Sequence, residues 1–98
     1  MTLRVVFLRA ARAEFDTAAL WYDLQQAGLG MQFVSEINRV IDLTSNHPER
    51  FPTKHLEIRC AQARRFPYSV FFHPEATRIV VLSVFHARRS PTIWQARA

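Results

Sequence analysis

Cysteine occurs once in this 98-residue chain, at Cys60, and glycine twice, at Gly28 and Gly30. One cysteine excludes an internal disulfide and is too few for a zinc cage unless histidines complete it, so a reducing, cytoplasmic location is expected. GxGxxG, a Walker loop, HExxH and paired cysteines are all missing, and nucleotide hydrolysis, hydride transfer and zinc peptidase chemistry are not expected. The apolar run Val5-Val6-Phe7-Leu8 between Arg4 and Arg9 is too short for a signal segment or a membrane span, so neither export nor membrane insertion is expected.

What is present is a globular composition, 49% hydrophobic and 21% charged, in a length that suits one domain over residues 1–98. Lysine is nearly absent: Lys54 stands beside twelve arginines. The charge is also uneven. Residues 1–49 carry four arginines against six acids, net −2, whereas residues 50–98 carry eight arginines and Lys54 against two acids, net +7. A basic half predicts a polyanionic partner, nucleic acid or an acidic protein segment, and arginine's planar fork suits bidentate contacts to carboxylate or phosphate. Solubility alone is the plainer explanation of the same charge.

Periodicity predicts the order β-α-α-β-β-β. The β-branched and aromatic residues at 5–8 read as a strand. Residues 10–26 lack Gly and Pro and repeat apolar types at helical spacing through Phe15, Ala19 and Tyr22. Ala27-Gly28-Leu29-Gly30 then stops that helix and predicts a helical hairpin. A second helix is expected from Leu29 or Met31 to residue 46, its buried stripe formed by Phe33, Ile37, Val40, Ile41 and Thr44. Asn46-His47-Pro48 ends it, and residues 48–56 read as a loop. Alternation around Ile58, Cys60 and Ala63, and the apolar runs 68–72 and 79–85, predict three late strands. The fold class is therefore α+β, a helical hairpin packed on a mainly antiparallel sheet.

Candidate chemistry is sparse. Asp16 and Asp23 are two helical turns apart and read as solvated acids. His47, His55, His73 and His86 lack metal-ligand spacing, so no metal or cofactor site is expected. The strand-end cations Arg59, Arg64, Arg65, His86, Arg88 and Arg89 are expected to converge on one surface, which would form an anion site. His86 beside arginines is the minimum for metal-free phosphodiester cleavage, with His86 as acid, Arg65 as phosphate clamp and Arg59 as second cation; capping and ion pairing are the plainer roles. Trp21, one residue off the helical stripe, is expected to widen the core face, with exposure as the alternative. Trp94 lies in a polar tail and either docks on the sheet or anchors a partner.

Taken in order, Trp21-Tyr22, Gly28-Leu29-Gly30 with Phe33, Pro48, Phe51-Pro52, Ile58-Arg59, Arg65-Phe66-Pro67-Tyr68-Ser69-Val70, and His86-Ala87-Arg88-Arg89-Ser90-Pro91 with Trp94 resemble the RelE/ParE superfamily of type II toxin–antitoxin toxins, on its ParE-like side. The similarity spans nearly the whole chain. It implies a small bacterial cytoplasmic toxin, neutralised by an antitoxin whose disordered segment folds onto it. Trp21, Arg64, Arg65 and Tyr68 are the residues expected under the antitoxin. It also implies one of two targets: DNA gyrase, poisoned by binding, or messenger RNA, cut on the ribosome. Arg59, Arg65 and His86 match part of the ribonuclease set, yet only Lys54 remains of its lysine patch and no tyrosine follows Tyr68. The resemblance thus favours a gyrase inhibitor, with the basic, aromatic tail residues Arg88, Arg89, Trp94 and Arg97 touching the target.

Overall fold

The structure, a computed structural model describing residues 2–98, has the elements β1 (Arg4–Phe7), α1 (Arg9–Gln25), α2 (Leu29–Asn46), β2 (Thr53–His55), β3 (Ile58–Gln62), β4 (Tyr68–Pro74), β5 (Arg78–His86) and α3 (Thr92–Gln95). The five strands form one sheet in the order β1-β5-β4-β3-β2. β1 runs parallel to β5, and every other neighbouring pair is antiparallel. The predicted α+β architecture is the one observed.

The helical hairpin forms where the sequence permits a sharp reversal. Gly28 takes φ 89°, and the Asp23 carboxylate accepts hydrogen bonds from the backbone N–H of Gly28 and Gly30 at 3.0 and 3.2 Å. Asp23, read from sequence as a solvated acid, is therefore the clamp of the turn. At Gly30 a Cβ would lie 2.5 Å from the Ala19 carbonyl oxygen, so only glycine lets the two helices approach this closely. Phe33, Ile37, Val40, Ile41 and Thr44 of α2 are all buried and pack with Phe15 of α1 on one face of the sheet, burial that supplies most of the stabilisation.

Two elements differ from expectation. The segment read as a loop at 48–56 contains a 3₁₀ turn, Pro48–Arg50, followed by the short edge strand β2. Three residues are too few to show a period; β2 exists because β3 supplies its hydrogen bonds. The tail, read as polar, folds into α3 and covers part of the opposite sheet face. There Trp94, 3% exposed, stacks on Phe71 with ring centroids 3.9 Å apart, above Ile58, Cys60, Leu82 and Phe85. A register shift between Phe71 and Phe72 opposite β5 accompanies burial of β5 on both faces.

Candidate binding groove

Two features of the fold create the site. β1 pairs with β5 only from Arg78 to Val81, so the last residues of β5 present an edge with no strand beside it. Beyond that point α1 lies alongside, and its Glu14 takes over the work of a strand. One carboxylate oxygen accepts hydrogen bonds from the Val84 backbone N–H at 3.3 Å and the Ser83 hydroxyl at 2.8 Å. Arg97 of the tail donates to the Leu82 carbonyl at 3.0 Å and to the same Glu14 oxygen at 2.8 Å. A further Arg97 nitrogen and Arg89 Nη1 donate to the second oxygen, at 3.1 and 2.8 Å. The Leu82 carbonyl and the Val84 N–H on this edge are thereby satisfied by side chains. Burial pushes the Glu14 carboxyl upward, but hydrogen bonds from Arg97 and Ser83, the Arg97 charge and the Arg89 contact outweigh it and hold it below the usual carboxylate range.

Beside this network the C-terminal half of α1 stands off the ends of β4 and β5, leaving an open groove of about 780 Å³. Ala18, Tyr22, Tyr68 and Val84 supply its apolar lining, with Trp21, Pro67, His86, Arg88 and Arg89 around them. Trp21 is 55% exposed, against the expectation of core, because α1 turns only the Phe15, Ala18 and Tyr22 side toward the sheet. Its ring meets Tyr22 edge-on at 5.2 Å, Tyr22 lies 6.2 Å from Tyr68, and Tyr68 lies 5.1 Å from His86, so an aromatic row runs across the groove. Burial pushes both tyrosine hydroxyls up, keeping them neutral in the ordinary pH range. The groove is thus apolar and aromatic in its lining, with cations at one margin.

The cations expected to converge divide into separate groups. His86, Arg88 and Arg89 border the groove. Arg59 does not: it pairs with Phe72 on β4, whereas His86 pairs with Tyr68, placing them about 13 Å apart along the strands and two strands across. Its guanidinium is drawn to the Phe51 carbonyl, which accepts from Nη1 at 2.7 Å. Arg65, with φ 71°, turns instead to α2, where it bonds Gln32 at 2.8 Å. Arg64 lies beside it, its backbone N–H bonded to Glu36 at 2.6 Å. Glu36 also holds Arg39 through two 2.7 Å bonds, and the Arg39 hydrogen bonds bring its carboxyl down to about 2. His86 Nδ1 accepts the Arg88 backbone N–H at 3.0 Å, and no carboxylate hydrogen-bonds this imidazole among the described residues. The set His86, Arg65 and Arg59 thus fails to gather as a catalytic centre.

Of the two roles open to Trp94 the structure takes docking on the sheet, while Arg97 departs from the target contact expected of it. Trp94 is buried against Phe71, and Arg97 is bound to Glu14 and Leu82, so neither is placed as a surface anchor for a target. Arg88 and Arg89 keep surface positions. Glu14 was not singled out from sequence; its position immediately before the buried Phe15, at the margin of the apolar stripe, was the available signal. No group of three or more His, Cys, Asp or Glu side chains suited to a metal occurs among the described residues, and no helix there is long and apolar enough to cross a membrane.

Fold and groove together define a small α+β domain in which a helical hairpin packed on a five-stranded sheet leaves an apolar groove open beside cationic residues. The profile of the family described as the ParE toxin of the type II toxin–antitoxin system parDE matches residues 5–91, and the chain belongs to that family. Among solved structures, a chain described as belonging to the chromosomal ParDE TA system from P. aeruginosa superposes with a TM-score of 0.77 at 16% identity. The match covers 89% of this chain and 98% of that one, a likeness of fold. No match is found among curated proteins.

Proposed function

We propose that this ParE-family toxin acts by binding DNA gyrase in the cytoplasm, and that a cognate antitoxin neutralises it by folding a disordered acidic segment into the groove. The observation carrying this reading is the open groove beside α1, apolar in its lining and cationic at one margin. An amphipathic segment would bury Trp21, Tyr22 and Tyr68 while its acids meet Arg88 and Arg89. The same segment, continuing past the hairpin, would reach Arg64 and Arg65. Dispersal of Arg59, Arg65 and His86 supports action by binding over cleavage of messenger RNA.

Expression of the chain in cells separates the two targets. Loss of negative supercoiling in a reporter plasmid, with intact messages by primer extension, is the expected result. Ribosome-dependent cuts that vanish in His86→Ala, with supercoiling unchanged, would establish the ribonuclease activity instead. Normal growth with neither effect would leave a chain that only binds its antitoxin.

A further inference from the structure

The two exposed arginines at the groove are not equivalent. Arg88 is exposed and makes no side-chain hydrogen bond or ion pair among the described residues, so nothing there fixes its charge in place. Arg89 is fixed from two sides. Its Nη1 donates to Glu14 at 2.8 Å, and its guanidinium carbon lies 4.9 Å from the centre of the Phe85 ring. A guanidinium has five N–H donors, and Glu14 engages only one nitrogen of Arg89, so donors remain to bind an incoming anion. Glu14 cannot accept that anion's place, since its carboxylate already receives five hydrogen bonds. Nor can it swing away, because Ser83, Val84 and Arg97 hold it to β5.

We infer that Arg89 is the residue that reads a carboxylate on the acidic segment filling the groove, and that Glu14 is its positioning residue. Arg88 contributes long-range attraction only. The inference rests on the groove being a binding site, as proposed above. Its physical basis is preorganisation: the entropy of ordering a long side chain has been spent during folding, so less is lost when the anion binds. Phe85 and Glu14 do the ordering, one by stacking and one by a charged hydrogen bond.

Two dyes that differ by one group test this on the intact chain. N-phenyl-1-naphthylamine is neutral, and 8-anilinonaphthalene-1-sulfonate has the same rings with an anionic sulfonate standing in for the carboxylate. Both are expected to bind the wild type, and Thr17→Trp, which fills the groove mouth, is expected to abolish both. Arg89→Ala should weaken the sulfonate dye about tenfold and leave the neutral dye unchanged, whereas Arg88→Ala should change either by less than about twofold. Arg89→Lys, which keeps charge without the fork, should recover only part of the loss. Glu14→Gln should weaken the sulfonate dye about threefold although it removes a negative charge; a role limited to neutralising Arg89 would tighten it. If Glu14→Gln fails to fold, the Arg89 and Arg88 comparison still decides the reading role. Equal sulfonate binding by wild type and Arg89→Ala, with the neutral dye bound and Thr17→Trp blocking it, overturns this inference alone. Dye binding undiminished in Thr17→Trp, or absent from the wild type, overturns the groove reading and this inference with it.

Discussion

Arg97 and Glu14 are 83 positions apart in the chain and meet through two hydrogen bonds, 2.8 Å at one oxygen and 3.1 Å at the other. The contact crosses from the tail to α1 over the free edge of β5, and both side chains are largely removed from solvent. Removing the Glu14 charge leaves Arg97 with the Leu82 carbonyl and no counter-charge, and removing Arg97 strips Glu14 of two of its five hydrogen bonds. Glu14→Gln and Arg97→Met are each expected to cost about 3 kcal/mol in urea unfolding, with a double mutant costing well under the sum. Additive losses would show that the two residues act independently.

Acid should loosen the molecule through carboxylates whose folded pKa lies below the unfolded value. Glu36, brought to about 2 by the Arg39 hydrogen bonds, and Glu14, also lowered, both behave this way. Such groups contribute stability that is fully present above about pH 4.5 and is lost as pH falls through the folded value. Urea midpoints measured from pH 6 to pH 2 are expected to fall most between pH 4.5 and 2, and Glu36→Gln should flatten that fall. A flat profile for the parent chain contradicts the assignment.

The two tryptophans should separate stability from binding. Trp94→Ala opens a hole against Phe71 and is expected to cost about 3–5 kcal/mol. Trp21→Ala removes an exposed ring and should change stability by less than about 0.5 kcal/mol while weakening antitoxin binding by about 2 kcal/mol or more. Thermal melts and titration calorimetry read both effects. A Trp21→Ala chain that binds antitoxin as tightly as the parent would remove that ring from the interface.

At Gly30 a methyl group would press on the Ala19 carbonyl and the Asp23 side chain. Gly30→Ala is expected to spread the hairpin and destabilise by about 2–3 kcal/mol, measured by chemical unfolding. Gly28→Ala should cost less, about 1 kcal/mol, because the obstacle there is the positive φ alone and nothing lies within 4 Å of the added atom.

These positions also show what the sequence can and cannot convey. The spacing of Phe33, Ile37, Val40 and Ile41 predicts α2 and its buried face, since local periodicity and burial coincide there. The three residues of β2 depend on their pairing with β3 and leave no local trace, and Trp94 reads equally as docked or as an anchor because Phe71, its partner, is distant in the chain. The dispersal of Arg59 and His86 follows from register: β3 is antiparallel to β4, so the start of β3 lies at the opposite end of the sheet from the end of β5. The sequence marks both as strand-end cations, but adjacency at one end requires the pairing itself. Glu14 eluded sequence reasoning for the same reason, because Ser83, Arg89 and Arg97 reach it only in the folded chain.

The most direct test of action by binding is a supercoiling assay with purified gyrase, titrated with the wild-type chain and with His86→Ala. Both are expected to inhibit to the same extent at equal concentration. Full gyrase activity at saturating wild-type chain, together with His86-dependent cutting of messages on purified ribosomes, would contradict it.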